Sequence, residues 1–119
     1  MFNGHMDTVG VAGMPTPHQP SQQQGRLYGR GAYDMKGGVV ACIVAIAAAK
    51  QLTIRGDVIL RPYGCPLLDG RCHLMGCGYP AVLFGPTGTG AHAIEEWVDL
   101  KSAHQCADIY LTTALAFCQ

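Results

Sequence analysis

Charge is scarce in this chain. Lys and Arg together number 8 and Asp and Glu number 8, so charged residues make up 13% of 119 positions and the formal net charge is zero. The usual share is roughly 25%. With no excess of either sign, no field is available to recruit nucleic acid or an anionic membrane, and neither is expected as a partner. Long apolar runs are also missing. The longest candidate, Val39 to Ala49, stops at Lys50, short of the roughly 20 residues that a spanning helix needs. The start carries no basic, then apolar, then small-residue leader, and a cytoplasmic setting is expected. Six cysteines are present, Cys42, Cys65, Cys72, Cys77, Cys106 and Cys118. An even count without a leader does not make a disulfide framework, so reduced thiols are expected. Cys65, Cys72, His73 and Cys77 match none of the usual zinc-knuckle spacings. No internal repeat is evident.

What is present suffices for one domain with a modest core, since 49% of the residues are hydrophobic. Met1 to Val9 reads as a strand, and Val11 to Gly25, with Pro15, Pro17, Pro20 and a glutamine run, reads as a loop. Gly25 to Tyr28 is expected to be a short strand. From Gly37 the alanine-rich, proline-free stretch VVACIVAIAAAKQL predicts a helix of about four turns, apolar on nearly all sides and therefore buried. Asp57 to Arg61 and Tyr79 to Gly85 read as further strands. Asp99 is a plausible N-cap for a last helix. In that helix Leu100, Ala103, Ala107, Tyr110, Ala114 and Phe117 share one stripe. Cys42 and Cys106 fall inside the two helices as buried thiols, and Trp97 is expected in the core. The order of elements is an α/β pattern.

Three segments carry chemistry. NGHMDTV, from Asn3 to Val9, sets His5 and Asp7 two residues apart. In an extended strand both would emerge on the same side, where a carboxylate orients an imidazole as a metal-ligating histidine requires. YGRGAYDMKGG, from Tyr28 to Gly38, brings Asp34 into a glycine-rich turn. It has neither the lysine–hydroxyl ending of a P-loop nor the dinucleotide spacing, so its glycines are read as tight backbone turning around Asp34. GAHAIEEWVDL, from Gly90 to Leu100, brings His92. His5, Asp34 and His92 are the candidate metal ligands. His18, His73 and His104 have no accompanying motif, and Lys36 is read as solvated or structural.

NGHMDTV, GRLYGRGAYDMKGG, GDVIL and YPAVLFGPTGTGAHAIEEWVDL together resemble the zinc amidohydrolases and metallopeptidases related to acetylornithine deacetylase, succinyl-diaminopimelate desuccinylase, aminoacylase and carboxypeptidase G. The likeness covers about two-thirds of the chain, in the family's order. It implies an α/β catalytic domain, a mixed sheet with flanking helices, holding two zinc ions that cobalt or manganese could replace. By motif match His5 resembles the ligand of one zinc, Asp7 the carboxylate that orients it, Asp34 the bridging carboxylate, and His92 a ligand of the other zinc. The implied activity is hydrolysis of amide bonds in N-acyl amino acids or small peptides. The ions supply Lewis acidity to the amide carbonyl and lower the pKa of water.

The same resemblance marks what is missing. After a strand like GDVIL the family presents two adjacent glutamates, a general base and a zinc ligand, and later an inserted lid or dimerisation domain. Here Leu60 is followed by RPYGCPLLDGRC, which resembles the stretch returning from the lid. Residues 1–61 thus resemble the N-terminal half of the domain and 62–119 its C-terminal end, joined near Arg61 and Pro62. The family generally has an N-terminal helix and strand before the strand that NGHMDTV resembles, so the start reads as short. Glu95 and Glu96 follow His92 and are not the missing pair, and no motif supports Asp69 as a substitute base. Each zinc would keep about two protein ligands, where catalytic zinc usually keeps three. Loss of the base costs roughly 100-fold to 10,000-fold in rate. A metal-dependent hydrolase with impaired turnover is expected. The alternatives are a non-catalytic remnant, a weak metal binder, or a partner that docks on full-length relatives. Sheet edges left by the missing parts invite self-association.

Overall fold

The computed structural model describes residues 1–52, 54–63 and 82–118, with 61–63 described through their backbone alone. Strand β1, Phe2–His5, pairs in parallel with β4, Leu60–Tyr63, in the register Phe2 to Leu60 and His5 to Tyr63. A parallel pair cannot be closed by a hairpin and needs a crossover. Helix α1, Gly37–Ala49, lies within that connection. The second sheet is antiparallel, in the order β2 (Ser21–Gln23), β3 (Arg26–Tyr28), β6 (Trp97–Asp99), β5 (Gly88–Thr89). Helix α2, Leu100–Phe117, follows β6 without a break. The expected α/β class therefore holds at the level of a small mixed α/β unit, with parallel and antiparallel pairing, among the described residues, in two separate sheets and not in one.

The core lies where α1 crosses α2. Ala41, Cys42 and Ala45 meet Cys106, Ala107 and Tyr110, and Phe2, Leu60 and Leu111 pack against them. Five of those six core positions are small, so the two helices approach closely and Tyr110 fills the space between them and the strands. Its ring lies 5.0 Å from that of Phe2 and 5.7 Å, edge-on, from that of Phe84, and its hydroxyl donates to the Phe84 carbonyl at 2.6 Å. Burial pushes the Cys42 thiol up to about 11 and also raises Cys106 and Tyr110. Asp99 is extended and accepts from the Ser102 amide at 2.7 Å, the N-cap that its position suggested.

Several expectations are corrected. Helix α1 is not buried all round: Val40, Ile43 and Val44 are more than half exposed, because α2 covers one face only. On α2 the buried stripe takes in Cys106, and Phe117 is exposed. Trp97 sits in β6, half-buried, with the Arg26 guanidinium 4.0 Å over its ring. Strand β2 forms inside the expected loop, where β3 offers it a partner. Residues 82–85 are not in a strand, and residues 79–81 lie outside the described residues. The 18 residues Ala32–Ala49 do reach a mean hydropathy of 1.5, enough by length and composition for a span. The α-helix within them has 13 residues, about 20 Å long, shorter than a hydrocarbon core of about 30 Å.

Candidate functional site

Three separate pieces of chain deliver the site. His5 is the last residue of β1, and in α/β folds ligands gather beyond the carboxyl ends of parallel strands. Asp34 lies in the turn Ala32–Lys36 that leads into α1. His92 lies in the loop between β5 and β6, with φ of 66°. The structure brings these three together. One carboxylate oxygen of Asp34, Oδ1, lies 3.1 Å from His5 Nε2, and the other, Oδ2, lies 3.0 Å from His92 Nε2. One acid thus spans two imidazoles, one oxygen to each.

Asp7 reaches His5 by a different route from the one the strand period suggested. Strand β1 stops at His5, so alternation along the strand does not align the two residues. The chain turns, and the backbone carbonyl of Asp7 lies 3.2 Å from His5 Nδ1. Its carboxylate Oδ1 lies 3.3 Å from the same nitrogen, in ion-pair range but without a hydrogen bond of its own among the described residues. With Nδ1 held by Asp7, Nε2 is the nitrogen that faces Asp34. Exposure grades across the site: the side chain of His5 is 14% exposed, those of Asp7 and Asp34 about a third, and that of His92 58%.

Sequence reasoning missed the group that holds this turn. Glu96 is 1% exposed and pairs with Arg30 at 2.7 Å. The same carboxylate accepts the backbone N–H groups of Gly31 at 2.9 Å and of Tyr33 and Asp34 at 3.0 Å. Arg30 also donates to the Ala93 carbonyl at 2.6 Å. The signal lay in the pairing of a lone arginine between two glycines with an acid next to a tryptophan, which only contact in space makes legible. Gly31 is required here on two counts. Its φ is 79°, and a Cβ there would lie 2.6 Å from Thr8 Cγ2. Gly90, at φ 86°, opens the His92 loop where a Cβ would run into the Glu95 carbonyl.

Among the described residues no group of three or more His, Cys, Asp or Glu side chains is arranged to hold one ion. The donors come in pairs, one pair at each end of the Asp34 carboxylate. Asp69 and the Cys65, Cys72, His73 and Cys77 set lie outside the described residues. His104 is spent locally, 2.7 Å from the Leu100 carbonyl. Lys36 is exposed.

The comparisons with known proteins bear on the same segments. Residues 1–61 match the model of peptidase family M20/M25/M40. The chain is 44% identical over 64 residues, half its length, to the succinyl-diaminopimelate desuccinylase of Gluconacetobacter diazotrophicus. It is 45% identical over 51 residues to that of Nitrosospira multiformis and 47% identical over 51 residues to that of Paracidovorax citrulli, about two-fifths of the chain in each case. These alignments cover 17%, 14% and 13% of the relatives, so the chain spans less than a fifth of their length. No solved structure matches it. With the family model covering 61 of its 119 residues, among them His5, Asp7 and Asp34, the chain belongs to peptidase family M20/M25/M40.

Proposed function

We propose that this chain carries the ion-binding half of an amidohydrolase site for N-acyl amino acids or small peptides, and that it turns substrate over slowly by itself. In this reading Asp34 would serve both of two zinc ions, His5 would hold one and His92 the other, and Asp7 would orient His5. A single observation carries the reading: Asp34 offers one oxygen to each of two Nε2 atoms, at 3.1 and 3.0 Å. Two donors of one tetrahedral zinc stand roughly 3.3 Å apart, given bond lengths near 2.0–2.2 Å. The separations at both ends of Asp34 are close to that edge, and imidazole with carboxylate is a donor set that zinc accepts. Bound zinc supplies Lewis acidity toward the amide carbonyl and a more acidic water.

The chain's own residues then have separate tasks. Asp34 would offset the charge of the ions it holds. Asp7 holds His5 Nδ1 so that Nε2 faces Asp34. Slow turnover follows from the donor count of one imidazole and one carboxylate oxygen at each end, among the described residues, and from the lack of a matched general base. Supporting the substrate class, the relatives are named for removing a succinyl group from diaminopimelate. The reading also includes self-association, through an apolar face of α1 formed by Val40, Ile43 and Val44.

Calorimetric titration with zinc, followed by an amide-hydrolysis assay with and without chelator, tests the proposal. Weak, two-site zinc binding that Asp34→Asn abolishes is the expected result, with chelator-sensitive hydrolysis at a low rate. Zinc binding unchanged by Asp34→Asn would sink it.

A further inference from the structure

The turn that carries Asp34 and the loop that carries His92 are joined by two side chains that reach in opposite directions. Arg30, beside the first, extends to the second: Nη1 donates to Glu96 Oε2 at 2.7 Å and Nη2 to the Ala93 carbonyl at 2.6 Å, one residue past His92. Glu96, at the end of the second, extends to the first. Its Oε2 also takes the Gly31 amide, and its Oε1 takes the amides of Tyr33 and of Asp34 itself. Both side chains are almost fully buried, 3% and 1% exposed.

A buried ion pair is weak evidence of a stabilising role, because desolvation offsets much of the attraction. What distinguishes this pair is where its remaining hydrogen bonds go. All of them end on the backbone within four residues of Asp34 or next to His92. His92 is moreover held at φ of 66°, a left-handed conformation that L residues avoid unless surrounding contacts impose it.

We infer that Arg30 and Glu96 form a reciprocal clamp that sets the distance between Asp34 and His92, and are positioning residues for the ion site. The inference rests on the reading of that site given above. Arg30 sets the His92 loop through Ala93, and Glu96 sets the Asp34 turn through three amides. The spacing of Asp34 Oδ2 and His92 Nε2 is the result of the two acting together.

Cobalt(II) titration of the full chain, followed by visible absorption, provides the test, with NMR of the metal-free chain as a second arm. Arg30→Lys keeps the charge but not the fork that spans Glu96 and Ala93. It should weaken cobalt binding about 10-fold to 100-fold, as losses of supporting contacts do, and alter the absorption bands. In the metal-free chain Arg30→Lys and Glu96→Gln should both erase NOEs between His92 and Asp34 while leaving those of the α1–α2 core. The Arg30→Glu, Glu96→Arg exchange restores opposite charges but turns the donors and acceptors around, and it should not rescue cobalt affinity. Full rescue by the exchange would reduce the pair to an ordinary ion bridge and overturn the clamp, as would NOEs that persist in both single variants. A wild-type chain that takes up no cobalt would refute the ion site, and the NOEs of the metal-free chain would still decide the clamp.

Discussion

Asp7 touches His5 twice, through its carbonyl at 3.2 Å and its carboxylate at 3.3 Å, and the two contacts separate by mutation. Asp7→Ala keeps the carbonyl and removes the charge. Zinc affinity should fall by about 10-fold, the lower end for a lost supporting carboxylate, measured by calorimetry against the unaltered chain. Cys42 offers a second residue-scale outcome. Burial raises its thiol from the ordinary 9.0 to about 11. The unfolded chain therefore loses this proton at a lower pH than the folded one, and stability present below pH 9 should drain away as pH rises toward 11. Tyr110, raised by the same burial, acts in the same direction. Denaturant midpoints measured between pH 8 and 11 check the sign, and a midpoint that rises with pH would contradict it. At this scale the imidazoles and carboxylates were legible from the motifs around them, because NGHMDTV and GRGAYDMKGG bring their own context. Glu96 was not, since its role depends on amides more than 60 positions earlier.

At the scale of elements, α2 begins where β6 ends, and Asp99 serves both as the last residue of the strand and as the cap of the helix. Asp99→Ala leaves the Ser102 amide without its acceptor and should cost about 1 kcal/mol, read as a lower thermal midpoint with the α2 helical signal reduced. This cap, the alanine-rich α1 and the strand at Phe2 were readable in the sequence because each is a local preference. Strands β2 and β6 were not. Each has three residues, too few for a period of two to register, and they form through pairing with other strands, β2 with β3 and β6 with both β3 and β5.

For the whole molecule the outward face of α1 dominates. Val40, Ile43 and Val44 follow the three- and four-residue spacing of one helix face and remain 56%, 51% and 53% exposed. An apolar stripe of this kind favours a second apolar surface over water. Sedimentation at rising concentration should show association, and Ile43→Lys with Val44→Lys should shift the chain to monomer. A wild-type monomer throughout would contradict it. Hydrophobicity alone had placed this face in the core, because composition records that a residue is apolar and not whether a neighbour exists to cover it.

The amino-acid order by itself determined which residue types stand in which local setting: a histidine in a strand, an acid in a glycine turn, a capped last helix, and membership of a peptidase family by motif. Those are short-range properties, set by backbone preference and by neighbours in the chain. Tertiary structure decided that the two oxygens of Asp34 meet imidazoles 29 and 58 positions away, and that a buried arginine and glutamate hold them there. Such convergence arises from strand pairing and helix packing between distant segments, and no local pattern encodes it.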